Sequence, residues 1–200
     1  VDGAQLNTVG IGGVGSITGQ TNFTGSAEAT NVGTDIGATS DANATLVDAD
    51  GLAGLQSIDV SSDAALTGLN TVDLASSAAS TSGDSSTATS YASTLQGAEL
   101  GSATSIGGVG SIGGQVDFSG SADAANVTGN AIGNGTLGSA QGLVTGEAAS
   151  GFGTSISSDG TLQGIAINSI SSDAATTNGV AGANTTITSI DGANLGDVSI

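Results

Sequence analysis

The chain reads as an all-β protein, a repetitive β-solenoid-like array with four units of about 48 residues. Three observations predict this. A long segment recurs inside the 200 residues, apolar residues alternate in short period-two runs, and 35 glycines with no proline punctuate those runs. The recurring segment is GIGGVGSITGQTNFTGSAEATNV (10–32), which returns as SIGGVGSIGGQVDFSGSADAANV (105–127) at an offset of 95 residues. Each half divides again. GSITG ends at Gly19, AALTG at Gly68, GSIGG at Gly114 and GTLQG at Gly164, with spacings of 49, 46 and 50. A small-residue block follows every copy, SAEAT at Ser26, SAAST at Ser77, SADAA at Ser121 and SDAAT at Ser172. The array is continuous, with units at roughly 5–54, 55–100, 101–149 and 150–190, and with 191–200 beginning a further one.

In chain order, the opening DGAQLNTVGI (2–11) resembles the closing DGANLGDVSI (191–200) at an offset of 189, so both ends share one phase of the repeat. With no initiating Met, residue 1 reads as a processed end or a cut within a longer protein. TNFT (21–24), SIDV (57–60), TVDL (71–74), QVDFS (115–119), QGIAINSI (163–170) and TITSI (186–190) are short β-branched alternations, and read as strands between Gly, Asn and Asp turns. The most helix-like stretch is 85–95, around TATSYASTL, and even there no i, i+3, i+4 pattern is sustained. Each unit is expected to supply two or three coils. Phe23, Phe118, Ile165 and Ile167 are the expected core residues, with Ala, Ser and Gly where opposite walls approach.

Composition excludes most chemistry. The chain has no Lys, Arg, His, Cys, Met, Pro or Trp, and its 18 acids give a net charge of −18. No imidazole base, phosphate clamp or soft-metal ligand exists, so nucleophilic triads are excluded and no enzyme activity is expected. Nucleic acid and anionic membranes bind through Lys and Arg and are excluded as partners. No run approaches the ~20 apolar residues of a spanning helix, so no membrane insertion is expected. Leu, Ile, Val and Phe make up 43 of 200 residues, enough for a thin core rather than a broad one. Cohesion must come from backbone ladders and apolar packing. With neither sulfur nor trypsin sites, the composition suits a durable exported product.

Several motifs carry weaker signals. GGVGSI at Gly12 and Gly107 approaches the calcium-binding GGxGxDxUx nonapeptide, but Ser16 and Ser111 replace the ligand Asp, leaving a Gly-rich turn. Asp48 and Asp50 in VDADG resemble the start of a calcium loop without its third ligand or closing Glu, and are the candidate calcium residues. No cofactor beyond that cation is indicated. Asn22, Asn43, Asn126, Asn134 and Asn184 begin N-x-[ST] sequons, as Ser- and Thr-rich sequence often does by chance.

The units GSITGQTNFTGSAEATNV and GSIGGQVDFSGSADAANV, with the LTGL and TLQG turns, resemble the β-strand repeats of very large secreted bacterial surface proteins, those of marine cyanobacteria most. The resemblance covers essentially the whole chain. It implies export, a repetitive β-rich structure, and a role in surface layers, extracellular filaments or adhesion, and it brings no catalytic residues.

The expected function is therefore structural, a subunit or segment of an extracellular filament or cell-surface layer. The partner is the chain itself or its own continuation, joined by β-strand addition at uncapped ends, with divalent cations as further partners. The assembly residues are Asp2, Leu6, Val9 and Ile11 at one end and Asp191, Leu195, Val198 and Ile200 at the other. Alternatives are the stalk of a secreted adhesin and a viral or phage fibre.

Overall fold

The computed structural model describes residues 1–32, 37–53, 57–61, 63–100, 103–145, 153–157, 159–194 and 197–199. Every regular element is a strand. They are β1 Asp2–Gln5, β2 Thr8–Ile11, β3 Ser16–Asn31, β4 Thr39–Ala53, β5 Ser57–Val60, β6 Ala65–Ser80, β7 Ser85–Leu100 and β8 Ala103–Ile106. The chain continues with β9 Ser111–Asn126, β10 Asn130–Thr145, β11 Gly153–Ile156, β12 Thr161–Thr176, β13 Ala181–Asn194 and β14 Asp197–Ser199. Three parallel sheets run along the molecule in the orders β1-β4-β7-β10-β13, β2-β5-β8-β11-β14 and β3-β6-β9-β12. We call them the first, second and third sheets. Each turn of the chain contributes one strand to each, so the molecule is a β-solenoid-like stack without barrel closure.

The sequence repeat is the ladder register. Gly19 pairs with Gly68, Gly68 with Gly114 and Gly114 with Gly164, the alignment that the short motif gives. One expectation needs correcting. A unit makes one coil, because its strands are 16 residues long where the sequence suggests short ones. Ala, Ser and Gly fill the positions between the β-branched runs and continue the strands through the ladder rather than through side-chain propensity. The helix-like stretch 85–95 lies in β7 for the same reason.

The interior changes character along the long strands. Near the second sheet, Leu52, Val60, Leu66, Leu100, Ile106 and Ile112 form one apolar cluster. In the middle, Leu46, Val72, Leu74, Leu95, Phe118 and Leu137 form another. Beyond it the apolar residues are alanines, among them Ala42, Ala78, Ala88, Ala122 and Ala131, with Ser40, Ser80 and Ser86 buried in the same region. Along the first sheet the inward phase slips by one residue between Leu46 and Ala49, Ala92 and Leu95, and Leu137 and Ala140, at the same place in each coil.

Two glycine columns separate the first two clusters. Gly51, Gly97 and Gly142 of the first sheet face Gly68, Gly114 and Gly164 of the third so closely that a Cβ on Gly68 would strike the Gly97 carbonyl. A Cβ on Gly114 would strike that of Gly142, and one on Gly164 that of Gly192. The sheets touch here backbone to backbone. Beside this seam the inward rank is Thr21, Asn70, Val116 and Ala166. The Thr21 hydroxyl donates to the Asp50 carbonyl at 2.6 Å. The Asn70 amide donates to the carbonyls of Ala49 and, at 3.1 Å, Gln96. These side chains tie the two sheets together across the seam.

The core calls divide. Phe118 is 1 % exposed and Phe23, its equivalent in the terminal coil, is half-buried. Ile165 and Ile167 are not core residues. Ile167 is 51 % exposed and Ile165 half-buried, because both sit on the outer face while Ala166, Asn168 and Ile170 point inward. Alternation alone fits either face. The ladder register sets the face: Ala166 lies on the inward rank of Val116 and Asn70, which leaves both isoleucines on the outer one.

Turns also follow the repeat. GGVG links β2 to β3 and β8 to β9, with φ of 74° at Gly13 and 63° at Gly108, conformations that favour glycine. Between β9 and β10, the Asn126 carbonyl oxygen accepts from the backbone N–H of Thr128 at 3.2 Å and Gly129 at 3.0 Å. Its amide donates to the carbonyls of Gly83 and Asn130.

Candidate functional site: the two open ends

Interior coils are sealed by their neighbours and the terminal coils are not. Leu66 is 0 % and Ile112 1 % exposed, whereas their equivalents Ile17 and Leu162 in the outer coils are only half-buried. β3 leaves one edge of the third sheet unpaired and β12 the other. Among the described residues no helix, loop or proline covers either edge. Such edges are templates for further strand pairing.

Of the predicted assembly residues, Asp2 shares a rank with Asp191, and Val9 with Val198. Asp2 pairs with Asp50, Asp50 with Gln96, Gln96 with Gln141, and Gln141 with Asp191. Val9 reaches Val198 in the same way, through Ile58, Thr104 and Thr154 of the second sheet. The offset of 189 therefore preserves position in the coil in two sheets at once. Val9 is buried, and Leu6 and Ile11 pack half-buried against the Leu52 cluster. The Leu6 N–H donates to the Ala53 carbonyl at 3.0 Å. At the other end the Ser189 hydroxyl donates to the Asp191 carboxylate at 2.9 Å. Leu195 and Ile200 lie outside the described residues.

The ends differ in a way that sequence reasoning missed. β1 pairs only with the Asp50–Ala53 part of β4. The rest of β4, 39–47, has β7 on one side and no described strand on the other. β13, by contrast, runs the length of the sheet beside β10, from Ala181↔Ala131 to Asn194↔Val144.

The calcium candidates are separated by their surroundings. Asp48 is exposed and Asp50 is 7 % exposed, with Oδ1 buried and unpartnered. Burial, then the neighbouring carboxylates of Asp48, Asp2 and Glu99, push the Asp50 carboxyl up to about 7, against a downward pull from the Val1 ammonium. Among the described residues no group of three or more acids is placed to hold a metal ion. In the same rank Gln96 and Gln141 stack as neutral amides, Nε2 to Oε1 at 3.4 Å.

Three of the five sequons also stack. Asn43, Thr89, Asn134 and Asn184 form one outer rank of the first sheet, where the Asn184 amide donates to the Asn134 carbonyl oxygen at 3.0 Å. Asn126 is buried in its turn, its amide already engaged. Asn126, Asn134 and Asn184 thus have structural roles. No protein-family model, curated protein or solved structure matches the chain.

Proposed function

We propose that the chain is a structural module, a subunit or segment of a β-rich extracellular filament or surface layer, and that its activity is end-to-end assembly by β-strand addition. One observation carries the reading: Asp2, Ala4, Val9 and Gly10 occupy the same ranks of the coil as Asp191, Ala193, Val198 and Ser199, and β3 and β12 present unpaired edges among the described residues. Joining ends converts half-buried Ile17, Phe23 and Leu162 into residues as enclosed as Leu66 and Phe118. Burial of that kind is worth about 1.5–3 kcal/mol for a side chain going from full exposure to full enclosure. Extracellular placement is supported by the resemblance to secreted surface repeats and by a sulfur-free composition.

Electron microscopy and fibre diffraction of the purified chain test this. The expected result is unbranched filaments with a meridional reflection near ~4.8 Å and a subunit repeat of about four coil spacings, ~19 Å. A chain that sediments as a monomer from micromolar to millimolar concentration would sink the proposal.

A further inference from the structure

We propose that Asn178, with Gly179, is a self-modification site, where the folded chain converts an asparagine into aspartate and isoaspartate. Two Asn–Gly pairs occur in the sequence, Asn134–Gly135 and Asn178–Gly179. Glycine in second place favours the reaction, because no Cβ shields the backbone nitrogen that must reach the asparagine side chain. The structure treats the two pairs oppositely. Asn134 and Gly135 lie inside β10, in register with β7 on one side and β13 on the other. Gly135 is buried, and the Asn134 carbonyl oxygen accepts from the Asn184 amide. Asn178 and Gly179 stand exposed in the turn between β12 and β13.

That turn recurs in three coils. Its glycines, Gly83, Gly129 and Gly179, stack so closely that a Cβ on Gly129 would strike the Gly83 carbonyl, and one on Gly179 that of Gly129. Three residues before each glycine stands a side chain that can cap its N–H. The Ser80 hydroxyl accepts from the Gly83 N–H at 2.9 Å, and Asn126 Oδ1 from the Gly129 N–H at 3.0 Å. Thr176 does otherwise. Its hydroxyl donates to the Gly129 carbonyl at 2.8 Å, and the Gly179 N–H has no hydrogen bond among the described residues.

Neither feature depends on a neighbouring coil. In the interior coils the glycine N–H is satisfied within its own turn, so its freedom at Gly179 comes from the side chain at Thr176. Exposure belongs to the turn as well. Thr128, the equivalent of Asn178, is exposed although coils flank it on both sides. The uncapped N–H and the asparagine side chain thus coincide in one turn of the stack.

The chemistry needs only water. The Gly179 nitrogen loses its proton and attacks Asn178 Cγ. A Cγ–N bond forms, the bond from Cγ to the side-chain nitrogen breaks, and that nitrogen leaves as ammonia. Water then opens the cyclic imide. Attack at Cγ gives aspartate, and attack at the main-chain carbonyl gives isoaspartate. In isoaspartate the main chain runs through the side chain, which adds one methylene before Gly179. Val180 follows at once. Its N–H donates to Asn130 Oδ1 at 3.1 Å and its carbonyl accepts from the Ala131 N–H at 3.0 Å, the bonds that lead β13 on to β10. Conversion therefore loosens the entry to β13. It also adds a carboxylate to a chain with no Lys, Arg or His to answer it.

Incubation of the intact folded chain at mildly alkaline pH tests this. Sites are mapped by mass spectrometry after digestion with an aspartate-specific protease, and isoaspartate is counted with a carboxyl methyltransferase that labels it. Asn178 is expected to convert well ahead of Asn134 in the folded chain, and at a comparable rate in urea, where the fold no longer separates them. Thr176→Asn supplies the side chain that caps Gly129, and its amide can keep the bond to the Gly129 carbonyl, as the Asn126 amide bonds that of Gly83 at 3.3 Å. It should slow conversion at Asn178 about fivefold, the factor expected of a side-chain cap of ordinary strength.

An interior coil gives the converse test. Thr128→Asn creates an Asn–Gly pair under the Asn126 cap, and adding Asn126→Thr removes that cap. The double variant should convert at this position about fivefold faster than Thr128→Asn alone. Conversion of Asn134 as fast as Asn178 in the folded chain overturns the proposal. An unchanged rate in Thr176→Asn, or equal rates in the two Thr128→Asn chains, does so too. A folded chain that gains no isoaspartate over an incubation that converts both sites in urea also overturns it.

Discussion

Asp50 is the residue at which charge and burial conflict most. Its carboxyl has an ordinary value of 3.8 and is held to about 7 in the fold, so between those values the native state binds more protons than the unfolded chain. Stability therefore falls as pH rises from about 4 to 7 and is level above. Asp50→Asn removes that titration. We expect its melting temperature to be flat over this window and, at pH 8, to exceed the parent's by the equivalent of roughly 2–4 kcal/mol, read by thermal melts across pH. A variant that keeps the parent's slope refutes the assignment. In sequence Asp48 and Asp50 look alike, and nothing in VDADG tells the exposed carboxylate from the enclosed one. That difference arises from the coils above and below. Ile165 and Ile167 misled for a related reason: hydrophobicity marks a face, but register with the neighbouring coil decides which face is inside.

At the level of the strands, the ladder was legible wherever the repeat kept its flanking letters. The Gly19, Gly68, Gly114 and Gly164 column stands in the sequence as the ends of four related pentapeptides, and the structure pairs them. The opposing column was hidden, because Gly51, Gly97 and Gly142 lie in ADGLA, LQGAE and AQGLV, which share little else. Strand length was hidden too, since Ala and Ser carry no strand signal of their own. The seam makes a sharp test. A Cβ on Gly114 would meet the Gly142 carbonyl and, at 2.9 Å, the Ala98 nitrogen, whereas one on Gly182 meets nothing within 4 Å. Gly114→Ala should lose about 3 kcal/mol in urea unfolding, and Gly182→Ala should be neutral or gain a few tenths. Equal effects at the two sites would show that the sheets do not touch there.

For the whole molecule, the charge distribution is one-sided. The single ion pair among the described residues joins the Val1 ammonium to Asp2 at 4.0 Å. Along the ladders the acids are mostly interleaved with neutral residues, as Asp73 is with Thr24 and Ser119. Asp2–Asp50 and Asp123–Asp173 stand side by side. Nearly every long-range electrostatic contribution is therefore repulsive, and salt has almost no attraction to screen. Raising sodium chloride from 0.02 to 0.5 M should increase unfolding free energy steadily, on the order of 1–2 kcal/mol. A fall in stability over that range would contradict this.

The seam and the flank of alanine and serine also fix a shape. Strands of 16 residues extend about 50 Å at ~3.3 Å per residue, while across them the molecule is two closely apposed sheets thick. A continuous stack of such coils is a ribbon. Its resistance to bending grows with the cube of the dimension in the plane of the bend, so it flexes readily across its faces and scarcely at all edgewise. Thermal undulation would then be confined largely to one plane, a mechanical anisotropy set by where glycine and alanine stand in the coil.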